Sequence, residues 1–130
     1  PSELLTFYYN IKAALVSGDA NNAATPAETF VKTINSISSE IIHESYKEAL
    51  LTDASKISDT KDLKKQRQAF STFSANMFAL AEEVKLNSEP VYYVYCPMKK
   101  DTWLSSNKAI KNPYFGNAML TCGKVTETIQ

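Results

Sequence analysis

Leu63, Arg67, Phe70, Phe73, Met77, Leu80 and Val84 recur at intervals of three or four residues. No other pattern in the chain limits its fold as strongly. Side chains at that spacing share one face of an α-helix. The stripe predicts a helix of about 24 residues, roughly 36 Å long at 1.5 Å per residue. Asp59 or Thr60 is the expected N-cap.

The sequence before it supplies partners for that face. Leu4, Tyr8, Ile11 and Leu15 predict an amphipathic helix over residues 3–17, closed by Gly18. Ala20, Ala23, Ala27, Phe30, Ile34 and Ile37 keep a helical period through the next segment. Pro26 leaves two readings there. Either the helix starts at Asp19 and kinks, or it starts at Thr25, with Pro26 in the first turn and Glu28 completing a capping box. Ser36, Ser38 and Ser39 mark a break and a new N-cap. Ile42, Tyr46, Ala49, Leu50 and Ile57 carry a third helix. Only three glycines are present, which disfavours a turn-rich sandwich. The expected fold class is mainly α: an antiparallel four-helix bundle over residues 1–87. At Asn87–Pro90 the pattern changes. "VYYVYC" is β-branched and aromatic and predicts a short strand, with "MLTC" as its expected partner. Residues 90–130 are expected to form an irregular or short β-hairpin cap packed on the bundle, in a single domain of 130 residues.

Fourteen basic residues balance fourteen acidic ones, with no basic patch to neutralise phosphates. No nucleic-acid partner is expected. No apolar run approaches the roughly 18 residues of a membrane span. The chain opens on Pro1, which leads to the expectation of an exported protein whose signal peptide has been removed. A glycine-rich phosphate loop and a G-x-S-x-G elbow are both missing, and His43 is the one histidine. Cys96 precedes Pro97, so it does not sit at a helix N-terminus, where a thiol pKa is lowered. The chain is not expected to be an enzyme.

The sulfur is concentrated in two short segments. Cys96-Pro97-Met98 and Met119-Leu120-Thr121-Cys122 hold both cysteines and two of the three methionines. Thiolate and thioether are soft donors that select Cu(I) and similar ions. Residues two apart in an extended segment share a face, so Cys96 and Met98 can meet one ion. His43 adds an imidazole if the cap folds over the start of the third helix. A zinc site wants more Cys or His and no methionine. Two other readings stand beside the metal site. A Cys96–Cys122 disulfide would close a loop of about 25 residues and stabilise the fold by roughly 3–4 kcal/mol in the chain-entropy account. Met98 and Met119 can equally serve as core filler. Tyr92, Tyr93, Tyr95, Trp103, Tyr114 and Phe115 read as packing, or as a shield around such a site.

The segments "VYYVYCPM", "WLS", "NPYFG" and "MLTCG", with Gln66, Arg67 and Phe70 upstream, resemble a bacterial family of exported domains of unknown function. Related domains in that family are also fused to heavy-metal efflux adaptors of the copper/silver type. The matching motif positions here are Cys96, Pro97, Met98, Trp103, Asn112, Pro113, Tyr114, Gly116, Met119, Cys122 and Gly123. The resemblance implies a periplasmic or cell-envelope location, and a heavy-metal efflux adaptor or another envelope protein as partner. One departure matters: Lys99 follows the C-P-M run where efflux metal-binding domains often carry histidine. A site here therefore leans on sulfur, which fits Cu(I) or Ag(I). The expected function is a soft-metal binding module, with Cys96, Met98, Met119, Cys122 and His43 as ligands, that buffers copper or hands it to an efflux system. The alternative is a non-metal interaction domain stapled by the Cys96–Cys122 disulfide.

Overall fold

A computed structural model describes residues 1–116 and 120–130. It contains four helices: α1 (Glu3–Ser17), α2 (Ala20–Ser36), α3 (Glu44–Ser58) and α4 (Leu63–Glu83). Three strands follow: β1 (Val91–Cys96), β2 (Asp101–Ser105) and β3 (Lys124–Ile129). Each helix packs on the next in sequence, and α4 also packs on β2.

The helix ends follow local chemistry. Gly18 takes φ 71°, the left-handed conformation that closes α1. The Asp19 side chain caps α2 by accepting from the Asn22 N–H at 3.1 Å. That position favours the earlier start: α2 runs through Pro26, and Thr25 caps nothing. Pro26 offers no N–H to the carbonyl four residues back, at exposed Asn22, where water can serve it. The cap of α3 is His43, not one of the serines, with Nδ1 accepting from the Ser45 N–H at 3.1 Å. The cap of α4 is Asp62, later than expected, accepting from the N–H groups of Lys64 and Lys65. The helix is thus 21 residues long, about 32 Å.

The expected β-hairpin cap is not what forms. The C-terminal strands make a three-stranded antiparallel sheet in the order β2-β1-β3. β1 pairs with "DTWLS", which shows no strand pattern in the sequence, and with "KVTETI"; the expected partner "MLTC" begins at Met119, outside the described residues. The cause is the tight turn after Cys96. Lys100 adopts φ 59° and donates its N–H to the Cys96 carbonyl at 2.7 Å, so the chain reverses within four residues. On the β3 side the register skips Thr126, and the Thr126 hydroxyl donates to the Tyr93 carbonyl. Packing on the sheet is concentrated on β1 and β2, while β3 is mostly exposed. Tyr93 stacks on Phe78 of α4 with ring centroids 3.9 Å apart. Val94 and Trp103, paired across the strands, lie against Ile110 and Gly123 of the connecting loop.

One continuous apolar core joins the two parts of the chain. Tyr8 of α1 stacks on Phe70 at 4.9 Å and touches Phe73 at 5.4 Å. Burial pushes its hydroxyl pKa far above the ordinary range, so it stays protonated. That hydroxyl meets Ser74 Oγ at 2.6 Å and accepts from the Leu104 N–H at 2.9 Å. Three elements, α1, α4 and β2, therefore meet at one oxygen. Gln66 plays a similar part elsewhere: its Nε2 donates to the carbonyls of Ala20, Ile57 and Thr60. Buried Asp53 of α3 accepts from the Asn76 amide of α4 at 2.7 Å.

Tyr8→Phe keeps the rings packed but leaves the buried Leu104 N–H without an acceptor. The expected loss is about 1–3 kcal/mol. Ser74→Ala should cost less, because the tyrosine oxygen still accepts from Leu104. Urea denaturation of the two variants gives the comparison, and equal losses would contradict this assignment.

Asp53 yields a pH prediction. Burial pushes its carboxyl pKa up, against the Asn76 amide and Lys56, which pull it down. The native state then holds this proton more tightly than the unfolded chain does. The residue's contribution to stability is fully present below the ordinary carboxylate pKa and is lost as pH rises from there through the raised native value. Asp53→Asn keeps an acceptor for Asn76 and removes the charge. It should be more stable than the parent at neutral pH, with the gap closing in acid, as measured by denaturation across a pH series.

Candidate functional site

β1 ends on Cys96, whose side chain is wholly buried. Cys122 lies two residues before β3 and is half-buried. The two form a disulfide across 26 residues of sequence, with Cα atoms 5.4 Å apart. Antiparallel pairing of β1 with β3 brings them together: Tyr95 opposes Lys124, so the next positions outward are Cys96 and Gly123. The Cys96 sulfur also accepts from the Lys99 backbone N–H at 3.4 Å.

Asn112 holds the Cys122 side of the pair. It is fully buried, and its Nδ2 donates to the Cys122 carbonyl at 3.0 Å. Its backbone N–H donates to the Leu120 carbonyl, and its Oδ1 accepts from the Tyr114 N–H. Tyr114 in turn donates its hydroxyl to the Thr102 carbonyl at 2.6 Å and packs edge-on against Trp103. Burial pushes the Tyr114 pKa well up, which keeps that donor protonated. The aromatic residues here are packing that fixes the loop around the sulfur pair. Tyr92 lies apart, under the Lys108 ammonium at 5.8 Å.

The other expected ligands divide. Met98 sits in the turn after Cys96 and is 71% exposed, so it fills no core gap. Met119 lies outside the described residues. His43 is exposed and caps α3, with its Nδ1 engaged by Ser45. Among the described residues, no group of three or more His, Cys, Asp or Glu gathers as a cation site, so His43 does not join the cysteines. The structure brings together two sulfurs and sets a third nearby in sequence.

Arg67 lies on the apolar stripe of α4 and also ties two other elements together. Its Nε donates to the Pro113 carbonyl and its Nη2 to the Leu15 carbonyl, both at 2.8 Å. The only sequence signal was a charged residue on an otherwise apolar helix face.

The family described as Protein of unknown function (DUF3347) matches residues 4–89. The match covers the four helices and stops before β1, so the C-P-M and N-P-Y-F-G segments lie beyond it. No curated protein and no solved structure matches the chain.

Gly123 is the tightest position of the site. A Cβ there would stand 2.8 Å from Trp103 Cη2 and 3.0 Å from both Ile110 Cγ2 and Val94 Cγ1. Gly123→Ala should therefore force Trp103 aside and cost about 1–3 kcal/mol. Trp103 is the one tryptophan, so its fluorescence and near-ultraviolet dichroism should both change. An alanine variant with parental spectra and stability would show that the loop gives way freely.

Proposed function

This chain belongs to the DUF3347 family, and from its own residues we propose a non-enzymatic, exported module that binds a soft univalent metal ion. The observation that carries the reading is the convergence of Cys96 and Cys122 at the sheet end, with the exposed Met98 two residues beyond Cys96. The donor set fits Cu(I) or Ag(I). Two thiolates and a thioether are soft, and the absence of imidazole from the cluster weakens the case for zinc or Cu(II). Cys96 and Cys122 would supply the thiolates and Met98 the thioether, with Met119 as a further thioether by sequence. The Lys99 N–H already points at the Cys96 sulfur and would remain a hydrogen-bond donor to it after reduction.

Loading begins with the disulfide. A dithiol reductant transfers two electrons and two protons to the pair and becomes a disulfide itself. The two thiols release their protons as they take the ion. Exposed Met98 is where the ion would pass to an envelope partner such as a heavy-metal efflux adaptor, by exchange of one ligand at a time. A disulfide persists in oxidising compartments, which supports a periplasmic or cell-envelope location.

A second reading rests on the complete burial of Cys96. In it the disulfide is a permanent staple, worth about 3.5 kcal/mol in the chain-entropy account, on an interaction domain without metal.

The two readings separate in one experiment. The reduced protein is titrated anaerobically with Cu(I) against a chromophoric chelator. One-to-one binding is expected, abolished by replacing both cysteines with serine. Leucine at Met98 and Met119 together preserves volume and should weaken binding about tenfold, roughly 1.4 kcal/mol. His43→Ala should leave it unchanged. A reduced protein that takes no Cu(I) from the chelator leaves the staple.

A further inference from the structure

A second feature lies along the start of α4. A cleft of about 550 Å³ opens between α4 and the β1–β2 turn, lined by Lys64, Arg67, Ser71, Lys99, Asp101 and Tyr114. Three cations face one carboxylate, and that carboxylate already accepts the Ser71 hydroxyl. The ion pairs found among the described residues are Pro1–Glu3 and Lys32–Glu28, so neither reaches the cleft.

Arg67 is the fixed member. A guanidinium has five N–H donors. Here two of them go to backbone carbonyls, Pro113 through Nε and Leu15 through Nη2. Both partners are neutral, although the Leu15 carbonyl lies in the last turn of α1, where the helix dipole favours a cation. The occupied edge is the one formed by Nε and Nη2. The opposite edge, with Nη1 and the second Nη2 proton, has no partner among the described residues. Desolvation works against the charge and pulls the Arg67 pKa down, as expected for a half-buried cation without a counter-ion. Exposed Lys64 and Lys99 flank it from two separate elements.

We propose that this cleft binds a small anion, whose carboxylate or phosphate group docks on the open edge of Arg67 between Lys64 and Lys99. A planar fork held from behind by two carbonyls is already oriented for bidentate recognition. Little side-chain entropy is lost when the anion arrives. Leu63 adds an apolar wall, so the anion belongs to a molecule with some carbon skeleton or to a free oxyanion that leaves that wall uncovered.

The test uses the oxidised, metal-free protein, so its outcome is independent of copper binding. Sodium phosphate and sodium succinate are titrated separately while backbone amide shifts are followed by NMR. Saturable shifts at Lys64, Ser71, Lys99 and Asp101 are expected at millimolar ligand, and the tighter of the two probes assigns the headgroup as phosphate or carboxylate. Lys64→Glu with Lys99→Glu changes two exposed side chains and leaves the Arg67 latch intact. It should lower the affinity about tenfold. Absence of saturable shifts with both probes would overturn the proposal. So would shifts that persist undiminished in the double variant.

Discussion

The Tyr8 hydroxyl is the point on which the two halves of this chain depend. The three strands could not bury enough apolar surface alone to offset their ordering entropy. They become stable by sharing the helical core, and sharing it exposes a difficulty. The edge strand β2, packed against α4, carries backbone N–H groups into the buried core. The Leu104 N–H finds its acceptor in a tyrosine oxygen carried by α1, and that same hydroxyl shares a hydrogen bond with Ser74 of α4. An unpaired group at that depth would cost more than a neutral hydrogen bond returns. The aromatic ring around the oxygen adds area: it stacks on Phe70, which in turn meets Tyr114 of the C-terminal loop.

α4 is the wall both halves use. Its buried face serves the helices through Phe73 and Met77, and its flanks serve the C-terminal part through Phe78 and Arg67. Gln66 and Arg67 are neighbours in sequence yet reach different elements. One gathers carbonyls from α2 and the end of α3, and the other joins α1 to the loop at Pro113. A polar residue on an apolar stripe is thus a connector here, its N–H groups spent on backbone carbonyls of other elements.

The helices were legible because their burial follows a 3.6-residue period that survives in the bare sequence. Their starts were less so. Asp62 rather than Asp59 or Thr60 caps α4, since a cap is chosen by which side chain meets the first free N–H groups, and several neighbours qualify. The sheet was legible only at β1. β2 has three consecutive buried residues, Trp103, Leu104 and Ser105, so it shows no alternation to read. β3 is mostly exposed and carries Thr and Glu between its two apolar residues, Val125 and Ile129. Its identity comes from pairing with β1, which no local pattern announces. The sulfur segments stood out by composition. The cationic cleft did not, because Lys64 and Lys99 come from distant parts of the chain.

The sulfur pair can serve both as a staple and as a thiol pair because the backbone around it is held independently. β3 stays on β1 through a ladder that runs from Val91 opposite Ile129 to Tyr95 opposite Lys124. Asn112 grips the Cys122 and Leu120 carbonyls from the other side. The Cys96 end is closed by the Lys100 N–H on the Cys96 carbonyl. None of these bonds involves the disulfide. Reduction removes its constraint on the unfolded chain and so lowers stability, but the native contacts that set the distance between the two residues remain. Under the proposed function, two thiols produced this way would stay within reach of one ion. A pair held close before binding loses less entropy on ligation than a pair that must be gathered.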